Sequence, residues 1–241
     1  MINSNDVIQY LQTLTNTKKI VVGFSGGLDS HVLLHLLSQT KFTSISISAV
    51  YINHGLQVEA DSWGVHCKSV CDDLAIPFKE LCLDLKIQTG ESLEEVARRE
   101  RYKVLHASIQ EDQVLVTAHH QNDQAETLLL QLFRGAGVQG LASMPAIRDF
   151  GPMECLRKHA RPLLKYSRQS LEDYARSHQL NYIEDPSNSD QAFDRNFLRN
   201  KIMPQLRQRW IGIDKTISRA ASIQAETKQI LDEVAEAICP C

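Results

Sequence analysis

Residues 19–38 read KIVVGFSGGLDSHVLLHLLS, and the reading of this stretch decides the fold. The run KIVVGF is apolar and β-branched, the pattern of a strand buried on both faces of a sheet. It breaks at Ser25, Gly26 and Gly27, and a helical pattern takes over from Asp29. A strand that ends in a glycine turn and opens a helix lets backbone N–H groups of residues such as Gly26, Gly27 and Leu28 approach an anion at the positive helix end. The hydroxyls of Ser25 and Ser30 can add hydrogen bonds, and Asp29 can hold a magnesium ion rather than the phosphate itself. An ordinary strand-to-helix turn with an aspartate cap would look the same locally. The stretch contains neither a Gly-Lys-Ser/Thr of the Walker type nor a G-x-G-x-x-G, so a kinase-like loop and a dinucleotide fingerprint are both set aside.

Outward from this turn, strand and helix patterns alternate. An amphipathic helix capped near Ser4 precedes it. After it come a strand ISISAVYI, a helix over about residues 59–75, a strand around FKELCLD and a helix over about residues 91–109. QVLVTAH at residues 113–119 reads as a fourth strand, and residues 121–134 as the helix that follows. Strands linked by crossover helices predict an α/β fold with a doubly wound, mostly parallel sheet. Ligands of such sheets bind beyond the carboxyl ends of the strands, where the winding reverses. SGGLDS, NHGL and HHQNDQAET all follow strands and should meet there. Past Gly140 the pattern is less regular, with prolines punctuating short elements, and residues 213–238 read as a long helix. The expected organisation is a catalytic domain over residues 1–185 and a helical carboxyl-terminal extension over residues 186–241.

Composition narrows the class. Hydrophobic residues at 43% and charged residues at 23% are near the globular average, which argues against disorder. The opening residues lack a basic region followed by an apolar run, and no stretch is long and apolar enough for a membrane span, so a cytoplasmic protein with no membrane partner is expected. None of the six cysteines forms a Cys-x-x-Cys pair, so they read as reduced packing residues. The net charge of -3 speaks against a general nucleic-acid coat. Basic residues nevertheless cluster locally, among them Arg161, Lys165 and Arg168 and then Arg195 and Arg199, which leaves room for a polyanion site.

SGGLDS after the first strand resembles the PP-loop of the N-type ATP pyrophosphatases, which split ATP into AMP and pyrophosphate. Further segments resemble the tRNA(Ile)-lysidine synthetases among them: NHGL (53–56), LEEVARRERY (93–102), HHQNDQAETLLLQLFRGAGVQGL (119–141), RPLL (161–164) and DPSNSDQAFDRNFLR (185–199). The likeness runs over residues 20–210. It implies an adenine-nucleotide-binding sheet, ATP and magnesium (Mg2+) as cofactors, and a ligase reaction in which lysine is joined to the wobble cytidine of the CAU anticodon of an isoleucine tRNA after ATP has adenylated that base. The partners it implies are that tRNA and L-lysine, and the oligomeric state stays open, a homodimer included.

The chemistry assigns roles within this frame. Ser25, Gly26, Gly27, Leu28, Asp29, Ser30 and Asn53 are expected to bind ATP, with Asp29 on the metal. Arg98, sharing a helical face with Glu94 and Arg101, is expected to spread charge at the reacting phosphates, although a solvated ion-pair face would look alike. Asp123 and Glu126 are the acidic partners expected for lysine, with Arg195 available to its carboxylate or to tRNA. A zinc site of His119, His120 and Asp123 and a plain capped helix start are the competing readings. Arg161, Lys165, Arg168 and Arg199 are expected to touch tRNA phosphates. A tRNA thiolase and a non-catalytic nucleotide-binding protein are the rival functions. Apolar positions along residues 213–238 predict packing against a tRNA-binding region that this chain lacks.

Overall fold

The structure is a computed structural model, and it describes residues 2–40, 45–55, 57–83 and 93–238, with the side chains of residues 93–95 left aside. The chain forms two compact units. One comprises Met1–Ala118, Ala146–Leu163 and Gln169–Glu184, the other His119–Pro145, Leu164–Arg168 and Asp185–Cys241.

The first unit begins with helix α1 (Ser4–Leu14), whose amide at Asn5 donates to the Asn3 side chain, followed by strand β1 (Lys19–Gly23) and helix α2 (Leu28–Ser38). β2 (Ser46–Asn53), α3 (Ala60–Asp73), β3 (Phe78–Cys82), α4 (Leu93–Ser108) and β4 (Gln113–Val116) continue the alternation. The expected elements up to β4 are all present. Two short strands in the irregular stretch, β5 (Ile147–Phe150) and β6 (Arg157–Ala160), enlarge the sheet to the order β3-β2-β1-β4-β6-β5, parallel except for β5. The sheet runs from β1 to β3 on one side and from β1 to β4 on the other. With right-handed crossovers, α2 and α3 lie on one face and α4 on the opposite face. On the α4 face, Leu105 and Ile109 pack with Val21, Val50, Leu115 and Phe150. The winding therefore reverses between β1 and β4, next to the Ser25–Ser30 turn.

The other unit holds α5 (Gln121–Phe133), the short α6 (Val138–Leu141), α8 (Asp194–Phe197), α9 (Met203–Arg209) and the long α10 (Ile213–Ile238). The first unit is closed by α7 (Arg168–Ser177), of which only Arg168 belongs to the second. In the second unit Ala125, Leu198 and Met203 form a core joined by Leu129, Ile202, Leu206, Ile213 and Ile217. Between α8 and α9 the chain makes a π-helical turn, Leu198–Ile202. Pro204 has no N–H to donate to the carbonyl four residues back, so the regular ladder breaks there. The first half of α10 packs on α5 and α6, while Ile223, Ile230, Leu231, Val234 and Ile238 remain exposed. No described helix is long and apolar enough to cross a membrane.

Histidines in the first unit make its stability depend on pH. His31 is buried, edge-on to Phe24 with centroids 5.7 Å apart and facing His66 at 6.4 Å. Burial first, then the like charges of His66 and His35, lowers its pKa to about 4; His35 is lowered too, by burial and by His178. A group whose folded pKa is depressed binds more protons when unfolded, so stability is full above the unfolded value of about 6.5 and is lost as pH falls toward 4. Thermal unfolding followed from pH 7.5 to 4.5 should show the midpoint falling over this window, and His31→Leu should flatten the slope. A midpoint rising toward pH 5 would contradict the buried neutral state.

Candidate functional site

The turn after β1 is built by backbone geometry. Gly26 adopts φ +79, and a Cβ placed there would lie 2.6 Å from Ile183 Cδ1 and 3.0 Å from Cys67 Sγ. The Ile183 amide donates to the Gly26 carbonyl at 2.9 Å, and Gly27 bridges to Ile183 in parallel register. Gly27 is the N-cap of α2 and supplies no side-chain cap. An 11-residue helix thus presents its amino end at the carboxyl edge of the sheet without the usual capping oxygen, an arrangement suited to a bound anion. Ser30 Oγ donates to the Gly27 carbonyl at 3.0 Å, accepts from the Ser25 amide at 3.2 Å and lies 3.1 Å from Ser25 Oγ. These bonds hold the turn open and keep both hydroxyls at its rim.

Other expected nucleotide contacts take different places. Leu28 is core, its side chain 5% exposed, so only its backbone can serve. Asn53 is also buried. Its Nδ2 donates to Asp61 at 2.7 Å and Glu80 at 3.2 Å, while its Oδ1 accepts from the Gly55 amide at 3.0 Å. The Asn53 side-chain amide shapes the turn after β2. Asp29 stands in the first turn of α2. Among the described residues no three or more His, Cys, Asp or Glu side chains are grouped to hold a metal ion. Magnesium bound through one carboxylate and substrate phosphates needs no such group, so the residues present fit it.

The second unit carries a carboxylate cradle on α5. His120 is the N-cap: its Nδ1 accepts from the Asp123 amide, and the Asp123 carboxylate accepts from the His120 amide at 3.0 Å. One helical turn later Glu126 is 1% exposed. Arg199, on the π-helical turn, donates to both oxygens of Glu126 at 2.7 Å and to Asp123 Oδ1 at 2.8 Å. Burial, the largest influence on Asp123, would raise its pKa, but His120, His119, the Arg199 guanidinium and the His120 amide together hold it below the ordinary value. Two buried carboxylates, Asp123 and Glu126, thus share one guanidinium, with His120 capping the helix beside them. Arg195 Nη2 reaches Thr127 Oγ1 at 2.8 Å, next to Glu126.

Two of the basic residues expected at tRNA are engaged within the fold. Arg199 holds Asp123 and Glu126, a bidentate carboxylate contact that suits its fork. Arg161 is 2% exposed and belongs to the interior of the first unit. Lys165 is exposed, with its Nζ 5.5 Å from the centre of the Tyr166 ring, and Arg168 is half-buried with its amide donating to Asn122 Oδ1 at 2.9 Å. Arg98 is exposed and its guanidinium carbon lies 5.5 Å from the centre of the Tyr102 ring; the Glu94 side chain expected beside it lies outside the described residues. The zinc alternative is not assembled among the described residues, since His120 caps α5. Tyr102, Arg148 and His159 were not singled out by the sequence, yet they gather around Arg98 and Arg161.

Comparison with known proteins matches residues 2–206 to the PP-loop domain family. A tRNA(Ile)-lysidine synthase of Photorhabdus laumondii subsp. laumondii is 50% identical over 220 residues, covering 90% of this chain and 49% of that protein. One of Coxiella burnetii is 42% identical over 231 residues, covering 95% of this chain and 51% of that protein. The chain spans about half the length of these relatives. Among solved structures, a U34-tRNA thiolase from Methanococcus maripaludis aligns with a TM-score of 0.74 at 20% identity, covering 92% of this chain and 78% of that one. At that identity the likeness bears on the fold alone.

Proposed function

The chain belongs to the PP-loop domain family, and from that premise we propose that it is the catalytic part of an ATP-dependent ligase that joins lysine to the wobble cytidine of an isoleucine tRNA with a CAU anticodon. The reaction has two displacements. The exocyclic oxygen of the cytosine attacks the α-phosphorus of ATP and pyrophosphate leaves; the ε-amine of lysine then attacks the ring carbon bearing the adenylated oxygen, and AMP leaves. Cytosine's carbonyl oxygen is a poor leaving group, which is why the first displacement must precede the second.

The uncapped end of α2 with Ser25 and Ser30 suits the phosphates. Magnesium, when bound by Asp29 and the phosphates, supplies positive charge as negative charge shifts onto pyrophosphate. Arg98 is assigned to the same phosphates. The observation that carries the lysine assignment is the pair of buried carboxylates on α5, Asp123 and Glu126, which suits an ammonium group. Arg195 is assigned to lysine's carboxylate, and Lys165 and Arg168 to tRNA phosphates.

A thiolase reading would need a thiolate, and neither Cys67 nor Cys71 offers one. Burial, then Cys71 and Glu80, pushes the Cys67 thiol up to about 12, and burial, then Asp72, does the same for Cys71; thiols held so high are poor nucleophiles. The test incubates the protein with ATP, magnesium, lysine and an isoleucine tRNA transcript. AMP and pyrophosphate should form in equal amounts, and the transcript should gain the mass of one lysine less one water. Formation of ADP, or a transcript of unchanged mass, would refute the assignment.

A further inference from the structure

The carboxylates of α5 stand on a turn that is itself held from outside. Asp123 lies in the first turn of the helix, and its carboxylate accepts from the His120 amide at 3.0 Å, so its position follows that turn. Within the second unit the turn is tied to two other segments. The Gln121 amide donates to the Tyr166 carbonyl at 2.8 Å. Asn122 Oδ1 accepts from the Arg168 amide at 2.9 Å, and Asn122 Nδ2 donates to Asp214 Oδ1 on α10 at 3.0 Å.

Asp214 is a firm anchor because of what holds it. It lies in the first turn of α10, and its side chain is 15% exposed. Arg207, at the end of α9, donates to it through Nε at 2.7 Å and through Nη2 at 2.9 Å. Such a fork fixes the carboxylate in both distance and direction. The same guanidinium lies in the field of the cradle: its pKa is raised first by the bond to Asp214, lowered by burial, and raised again by Asp214 and Glu126 against the opposing charge of Arg199. A path of hydrogen bonds thus runs from α9 through α10 to the residue before Asp123, and its far member, Arg207, also acts on Glu126.

A side-chain amide bonded at both ends to the fold, one residue before a buried carboxylate, is a means of placement. We propose that Asn122, Asp214 and Arg207 are positioning residues that hold the Asp123–Glu126 pair in place and so set the length of the amine that the chain can use. This rests on the reading that those carboxylates take lysine. A rigidly held pair gauges the amine: lysine reaches, whereas ornithine, one methylene shorter, falls short. Once the first turn of α5 is free to shift the gauge loosens, and a misplacement of about 1 Å can lower a rate by up to about a hundredfold.

The experiment reads kcat/KM for incorporation of lysine and of ornithine into the isoleucine tRNA transcript. It compares the unaltered chain with Asn122→Ala, Asp214→Ala, their double variant and Glu126→Gln. Asp214→Asn is added because it keeps the shape and one acceptor, and so should fold even where Asp214→Ala does not. Asn122→Ala and Asp214→Ala should each lower kcat/KM for lysine about tenfold, and the double variant should stay near that value instead of reaching about a hundredfold, because both remove the same bond. Asp214→Asn should be intermediate, and the preference for lysine over ornithine should shrink in every one of these variants. Equal losses for the two amines would overturn the inference and leave these residues a role in the fold only. Losses that multiply in the double variant would overturn it too, since the two side chains would then act independently. If lysine use stayed normal in Asn122→Ala and Asp214→Asn but fell in Glu126→Gln, this inference alone would be lost. If it stayed normal in Glu126→Gln as well, or if the unaltered chain incorporated no lysine, the lysine reading itself would fall, and this one with it.

Discussion

Exchanging Glu126 for alanine is expected to lower folding stability by about 3 kcal/mol, the lower end of the range for removing one partner of a buried ion pair. The lower end applies because the Arg199 side chain is 33% exposed and water can screen part of its charge. Glu126 is 1% exposed and takes two of the guanidinium's hydrogen bonds, so its loss removes both of them from Arg199. Removing one of the two carboxylates should also weaken the match to an ammonium. The lysine concentration for half-maximal turnover should rise by about a hundredfold, equivalent to roughly 3 kcal/mol, while ATP affinity stays near normal. Glu126→Gln, which keeps the shape, should show most of the lysine defect with less destabilisation.

Stability and lysine use can be separated. Replacing both partners, Glu126→Leu with Arg199→Met, should recover part of the stability, because swapping a buried pair for apolar side chains of similar size is often neutral, although Asp123 loses its bond to Arg199. It should not recover lysine use. If the double variant used lysine normally, or if Glu126→Gln left the lysine requirement unchanged, the cradle would serve the fold only.

Gly26→Ala is expected to abolish AMP formation and to destabilise the chain by roughly 1–3 kcal/mol, the usual range for overpacking joined to a strained backbone. Two causes add. An alanine at φ +79 is strained wherever it sits, and its methyl would stand 2.6 Å from Ile183 Cδ1. The turn must then move away from Ile183, and the amide geometry at the end of α2 moves with it. Adding Ile183→Val removes that Cδ1 and should restore part of the stability, but little of the activity, because the positive φ and the Cys67 contact persist. Melting temperature and pyrophosphate release on the single and double variants read the two effects separately. Full turnover in Gly26→Ala would show that the turn does not cradle phosphate.

Much of this was legible in the residues. An apolar β-branched run of 19–24, broken by two glycines and continued as a helix, reads as a buried strand that turns through glycine into a helix, since burial and backbone freedom are local properties. The placement of Asp123 and Glu126 on one face of α5 follows equally from helical spacing. β5 and β6 were not legible. IRDF and RKHA are rich in charge and carry no strand pattern; they are strands because β4 and β6 offer them ladder partners, and pairing outweighs weak propensity.

Sequence by itself therefore determined the alternating α/β order, the glycine turn after β1 and the acidic face of α5, each set by neighbours within a few residues. Only the tertiary structure decided which charges meet. Arg199 lies 73 residues from Glu126 and reads in the sequence as one more surface cation, yet the π-helical turn brings its fork onto two buried carboxylates. Arg161 reads as a phosphate contact on a loop, but its strand neighbours and Tyr102 bury it in a cluster with Arg98 and Arg148. Asn53 reads as a ligand, but Asp61, Glu80 and Gly55 take its amide. The reason is common to all three: a polar group removed from water takes the partners that the fold brings within about 3 Å, and those partners come from distant parts of the chain.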